Sequence, residues 1–279
     1  DVTMNPASNN MRYLMVNLAT RYRMLLLAGF MVTSGCGGSD APPAGTPPSG
    51  GAGSTTTRVS LGSEANNSSF TPSISSDGRF IAFASDATNL VGPNDTNGVR
   101  DVFVRDTVNS TTSRVSLHND GNQRTDPSSA PSISSDGRYV AFQSDSPLTA
   151  NDTNGVRDVF VRDTVNSTTI RVSLHNDGNQ RTDPSSAPSI SSDGQYVAFQ
   201  SDSPLVADDT NGVTDVFVRD TTGNTTMRAS LSTSGMQGSA SSLLPSISAD
   251  GNHISFESNA PNLVTDDFNG VKDIFVRSQ

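Results

Sequence analysis

The chain has 279 residues, 33% of them hydrophobic and 6% aromatic, with no tryptophan and a formal net charge of −10. That is enough apolar material for one substantial domain, with a core of Val, Ile, Leu, Ala and Phe. An acidic surface repels phosphate backbones and anionic headgroups, which excludes nucleic-acid binding and docking on lipid through a basic patch. Only Glu64 and Glu257 are glutamates, and Lys272 is the one lysine. Asp bonds its own backbone in turns, whereas Glu mostly decorates helices, so the bias points to a loop-rich β protein.

Residues 1–36 read as an export signal. Arg21 and Arg23 precede the apolar run at 24–32, MLLLAGFMV, and the small residues Thr33, Ser34 and Gly35 follow. The run is too short to span a bilayer, which takes about 20 residues. The chain begins with Asp1, and Met11 and Met15 both fit as translation starts, which would make residues 1–10 upstream sequence. Cys36 is the only cysteine, so no disulfide forms within the chain. Its place after the apolar run resembles the bacterial lipoprotein signal, with Thr33 where that signal usually has Leu. The resemblance implies a diacylated Cys36 and an outer-membrane lipoprotein facing the periplasm or the cell surface. The alternative is ordinary cleavage near Gly35 and a periplasmic or secreted product. Residues 37–57, rich in Gly, Pro, Ser and Thr, cannot pack and read as a flexible tether.

Residues 58–279 are repetitive. PSISSDG begins at Pro72, Pro131 and Pro188 and recurs as PSISADG at Pro245. DVFVR begins at Asp101, Asp158 and Asp215 and recurs as DIFVR at Asp273. RVSL begins at Arg58, Arg114 and Arg171, with RASL at Arg228. A period of about 57 residues, with several words in phase, signals a repeat architecture. In the second unit strands are expected at 132–134, 139–143, 159–162 and 168–174, with the turn Ser135-Asp136-Gly137 after the first. Val140 and Phe142 share one face, Tyr139 and Ala141 the other, so both faces are apolar and each small sheet needs a neighbour on both sides. The fourth unit supplies only three strands, while a spare strand, TTTRVSL at 55–61, precedes the first unit. Pairing the two would complete the last sheet and cover its edge. The expected fold is therefore all-β: a propeller of four blades, each of four antiparallel strands, closed by the N-terminal strand. The alternative is a larger ring shared by two chains. PSISSDGRYVAFQSD at Pro131 resembles the TolB-type, WD-repeat-like propeller repeat over roughly residues 58–277, with Ser where many members have Trp and Pro.

One recurring cluster carries candidate ligands. NDTNGVRD occupies 94–101 and 151–158, DDTNGVTD 208–215 and DDFNGVKD 266–273. Each sets Asp and Asn two apart, a Gly that allows a sharp turn, and a further Asp. The sets are Asp95, Asn97 and Asp101; Asp152, Asn154 and Asp158; Asp209, Asn211 and Asp215; and Asp267, Asn269 and Asp273. Hard cations take several oxygens from one tight loop, so these are the candidate Ca²⁺ ligands, and the cluster resembles part of the calcium loops of integrin-type propellers. The competing reading is a turn capped by its own Asp and Asn, with no cofactor.

No combination of His118, His175 or His253 with a nucleophile forms a recognisable catalytic signature. The chain lacks G-x-S-x-G, H-E-x-x-H and a Walker loop. Asn109 and Asn166 lie in Asn-Ser-Thr sequons, which also suit a β-turn. No catalytic residue is assigned. The expected function is a non-catalytic binding or scaffolding module of the bacterial cell envelope, contacting an envelope or extracellular protein or a polymer. Its contact surface is the polar segment at 118–130, repeated at 175–187. The alternatives are a propeller-type lyase or glycan-processing enzyme, and a purely structural surface protein.

Overall fold

The computed structural model describes residues 55–61 and 64–279. The export signal, Cys36 and most of the tether lie outside the described residues. The first sheet contains β1 (Ser69–Ile74), β2 (Phe80–Ser85), β3 (Asp101–Asp106) and β4 (Thr111–Arg114). The second contains β5 (Ser128–Ile133), β6 (Tyr139–Ser144), β7 (Asp158–Asp163) and β8 (Thr168–Arg171). The third contains β9 (Ser185–Ile190), β10 (Tyr196–Ser201), β11 (Asp215–Asp220) and β12 (Thr225–Arg228). The fourth has only β13 (Ser242–Ile247), β14 (His253–Ser258) and β15 (Asp273–Ser278). Each sheet is an antiparallel meander in chain order. Among the described residues no helix is long and apolar enough to cross a membrane.

All four strands of the second sheet have bounds other than those read off the sequence, and two boundaries differ by more than one residue. The first strand of the second sheet begins at Ser128, because a bulge between Ser129 and Ser132 lets it run through Pro131. Ala130 takes a left-handed conformation, φ 51°, and so brings the proline into the strand where no ladder donor is needed. Thr71, Ala187 and Leu244 do the same before Pro72, Pro188 and Pro245. The fourth strand ends at Arg171 rather than Leu174. The amides of Val172 and Ser173 both turn onto the carbonyl of Val159, and the Leu174 amide folds back onto Val172.

Packing follows the alternation. Val140, Phe142 and Phe160 of the second sheet bury against Ala82, Val102 and Val104 of the first. From the opposite face Ala141, Val159 and Val161 bury against Val197, Phe199 and Phe217 of the third. The third meets the fourth in the same way, through Val216 and Val218 against Ile254 and Phe256. The sheets therefore stack in chain order as propeller blades. One backbone hydrogen bond per junction links successive turns, from Ser76 to Ser135, Ser135 to Ser192 and Ser192 to Ala249.

The expected closure is not made. The fourth sheet stays three-stranded, and the segment at 55–61 is neither a strand nor paired with β15. Instead it lies on the first sheet, where Val59 packs with Ile81, Phe83 and Phe103. The two ends of the stack are covered unequally: on the first sheet Ile81, Phe83 and Phe103 are buried while Ile74 is 62% exposed, and on the fourth Ile274 is 73% and Val276 67% exposed. The physical reason is that burial of Val59 needs only the first sheet, so the segment docks locally without the last sheet arriving.

Candidate functional site

The structure brings the predicted Asp-Asn-Asp sets of the first three sheets together, and it adds partners that the sequence reading missed. In the second sheet, Asn154 turns the loop before β7. Its side-chain amide donates to Asp158 at 2.8 Å and to the carbonyl of Arg181 at 2.9 Å, while its oxygen accepts from the Val156 amide. Gly155 holds the turn at φ 72°. Asp158 is the first residue of β7 and accepts the Ser173 hydroxyl. Arg171, the last residue of β8, places one guanidinium nitrogen 2.9 Å from Asp152 and 3.3 Å from Asp158. The same nitrogen donates to Gln180 at 2.8 Å. The three charged side chains are almost wholly buried.

The first and third sheets repeat the arrangement. Arg114 lies 3.2 Å from Asp95 and 3.0 Å from Asp101, and Asn97 donates to Asp101 at 2.9 Å. Arg228 lies 3.0 Å from Asp209 and 3.7 Å from Asp215, and Asn211 donates to Asp215 at 2.8 Å. In the fourth sheet Asn269 still donates to Asp273 at 2.8 Å, but among the described residues no fourth strand brings an arginine and a serine to it. There Asp267 Oδ1 is buried without a hydrogen-bond partner. Arg114, Arg171, Arg228 and their serines sit in the RVSL word, in phase with the acids, and that phase was the signal available to find them.

These carboxylates are engaged by a fixed cation of the protein itself. A divalent ion held by Asp152 and Asp158 would have to displace Arg171 and leave a guanidinium buried without its acids, so the donor set of the first three sheets fits an ion pair better than Ca²⁺. Among the described residues no group of three or more His, Cys, Asp or Glu side chains is placed to hold a metal ion.

Burial dominates the titration. Desolvation first, then the neighbouring Asp158 charge, push Asp152 up to about 6 against the pull of Arg171. Asp209 is pushed up to about 6 by burial and by Asp215, against Arg228. A folded pKa above the unfolded 3.8 means that the folded state holds these protons more tightly, so their ionisation costs stability as pH rises from about 4 through about 6. The double variant Asp152→Asn, Asp209→Asn is therefore expected to gain in melting temperature relative to the wild type as pH goes from 4 to 7 in a calorimetric series. Parallel profiles for the two proteins would contradict this.

The remaining candidates are built into turns. Ser134 donates to Asp136 at 2.6 Å, and Asp136 accepts the Arg138 amide at 3.0 Å. Nδ1 of His118 and of His175 accepts the amide two residues on, at 3.1 Å. The Asn166 side chain donates to Asp163, which also caps the Val165 and Asn166 amides and is bound by Arg138. That arginine and those amides draw the Asp163 carboxyl down to about 2.

No protein-family model matches the chain, and no curated protein matches it. Among solved structures, TolB from Acinetobacter baumannii is similar at 17% identity and a TM-score of 0.43, over 76% of this chain and 44% of that one. A structure assigned to TolB from Agrobacterium tumefaciens is similar at 17% identity and a TM-score of 0.46, over 77% of this chain and 67% of that one. An oligogalacturonate lyase in complex with manganese is similar at 14% identity and a TM-score of 0.40, over 72% of this chain and 45% of that one. The chain thus spans less than half the length of the first and third of these proteins.

Proposed function

We propose that the chain is a non-catalytic binding module of the bacterial cell envelope, tethered by its N-terminal segment and working without a bound cation. The observation that carries this reading is the fate of the reactive groups. The Asp side chains of the first three sheets are committed to the same arginine, asparagine and serine partners from one sheet to the next, as a stabilising device would be. Outside this network the loop after the third sheet differs, with STSGMQGSA at 232–240 where 118–126 and 175–183 both read HNDGNQRTD.

The loops are held firmly. Between the first and second sheets, the Asn119 side chain donates to the carbonyl of Thr169 at 2.7 Å and accepts that residue's amide. Asn176 accepts the Thr226 amide in the same way at the next junction. Pinning a loop in advance lowers the entropy lost on binding. The exposed part of this surface is shorter than the sequence suggested, because Ser128–Ala130 belong to β5 and Ser185–Ala187 to β9. Asp120 pairs with Arg124 and Asp177 with Arg181 on its exterior.

The test is capture from envelope extracts on immobilised full-length chain, compared with the variant Arg124→Glu, Arg181→Glu. Exposed pairs of this kind contribute about 0–1 kcal/mol, so the variant remains folded. The expected result is a reproducible partner retained by the wild type, lost by the variant and indifferent to chelator. Equal retention by both proteins, or turnover of a glycan by the purified chain, would overturn the reading.

A further inference from the structure

The two ends of the stack are complementary in two features that the internal junctions repeat. At each internal junction the serine before the conserved isoleucine of one sheet accepts the isoleucine amide of the next. Ile133 donates to Ser73, Ile190 to Ser132 and Ile247 to Ser189, each at 3.1 Å. The series leaves Ser246 at one end and Ile74 at the other. An aromatic ring of each sheet also lies under the turn glycine of the next: Phe80 under Gly137, Tyr139 under Gly194 and Tyr196 under Gly251. The corresponding residue of the fourth sheet, His253, is exposed, as is Gly78 of the first.

The segment at 55–61 fits the same scheme. Val59 packs on the first sheet as Val115 packs on the second. The Leu61 amide folds back on the Val59 carbonyl at 2.9 Å, as that of Leu117 does on Val115 at 2.8 Å. The Leu61 carbonyl accepts the Thr112 hydroxyl as that of Leu117 accepts Thr169. The segment thus occupies the place of a fourth strand whose own sheet is absent. It carries Arg58 and Ser60 at the positions of Arg114 and Ser116, and the Arg58 side chain is 55% exposed and, among the described residues, forms its ion pair with the exposed Glu64. The fourth sheet has the converse deficit, with Asp267 and Asp273 in place and no fourth strand.

We propose that a second copy of this chain completes the fourth sheet. Residues 55–61 of each copy add the missing strand to β15 of the other, setting Arg58 and Ser60 on Asp267 and Asp273, while the first sheet stacks on Ile274 and Val276. The contact is head to tail, so it must close into a ring or grow without limit. Two copies supply eight sheets, the upper end of the usual propeller range of about 4–8, whereas three would exceed it. Two identical junctions then cover both end faces and make every sheet four-stranded.

The experiment is sedimentation of the full chain carrying Cys36→Ser, which removes the candidate acylation site, from about 1 to about 100 µM. The expected mass is twice the 29.2 kDa of one chain. Arg58→Glu should halve it, and Arg58→Glu combined with Asp267→Arg should restore it. Val276→Asp, on a face already exposed in the single chain, should also give single chains with unchanged circular dichroism. A wild-type mass of one chain throughout, which closure of the chain on itself would give, overturns the proposal. So does a mass that ignores Arg58→Glu, or growth beyond two copies.

Discussion

Gly137→Ala is expected to lower stability by about 2–5 kcal/mol, an effect of about 4–20 °C on the melting temperature of a domain this size. Two costs add. Gly137 sits at φ 77°, where an L side chain costs about 1–2 kcal/mol. An added Cβ would also lie 2.1 Å from Cδ2 of Phe80, a ring fixed in the junction below it. Gly178 separates the two costs. Its φ is 82°, but nothing lies within 4 Å of the added carbon, so Gly178→Ala should cost only the conformational share of about 1–2 kcal/mol. Denaturant unfolding of both variants would check the pair. Equal losses would show that the aromatic and the glycine do not lock the blades together.

Arg171→Ala should cost about 3–5 kcal/mol, because it leaves Asp152 and Asp158 buried without their counter-charge. The guanidinium also donates to Gln180 and to the carbonyl of Asn151, so several acceptors are orphaned at once. Arg157→Ala is the control. Arg157 makes an ion pair of similar length, 2.7 Å to Asp145, but both side chains are about a third or more exposed, and its loss should cost about 0–1 kcal/mol. The measurement is again equilibrium unfolding, near neutral pH, above the value of about 6 to which Asp152 is pushed. A small loss for Arg171→Ala would mean that Asp152 takes up a proton instead, and the loss would then shrink further at pH 5.

Much of the architecture was legible because it is written in phase. Alternation in YVAFQS and DVFVR assigned both buried faces correctly, and the repeated Asp-Gly turns marked the hairpin between the first two strands of each sheet. What was not legible depends on backbone geometry that side-chain pattern does not encode. The left-handed residue before each strand proline extends β5 to Ser128, whereas proline and serine read locally as loop. The Asp-Asn-Gly loops show the same limit at the candidate site. Their spacing suits a cation, but the decisive neighbour, Arg171, arrives from a strand beginning ten residues after Asp158 and is brought alongside by the pairing of β7 with β8. The docking of 55–61 was misplaced for a third reason: its sequence identifies it as a fourth strand, but not the sheet it will join.

The junction residues have an implication for how such a gene changes. The face that the second sheet turns to the first, Ile133, Val140, Phe142, Leu148 and Phe160, has the same residue types as Ile190, Val197, Phe199, Leu205 and Phe217 on the third. A crossover between these two stretches of DNA would gain or lose one whole unit and create no contact that the parent lacks. Blade number is then free to drift by recombination, while selection acts on the loops.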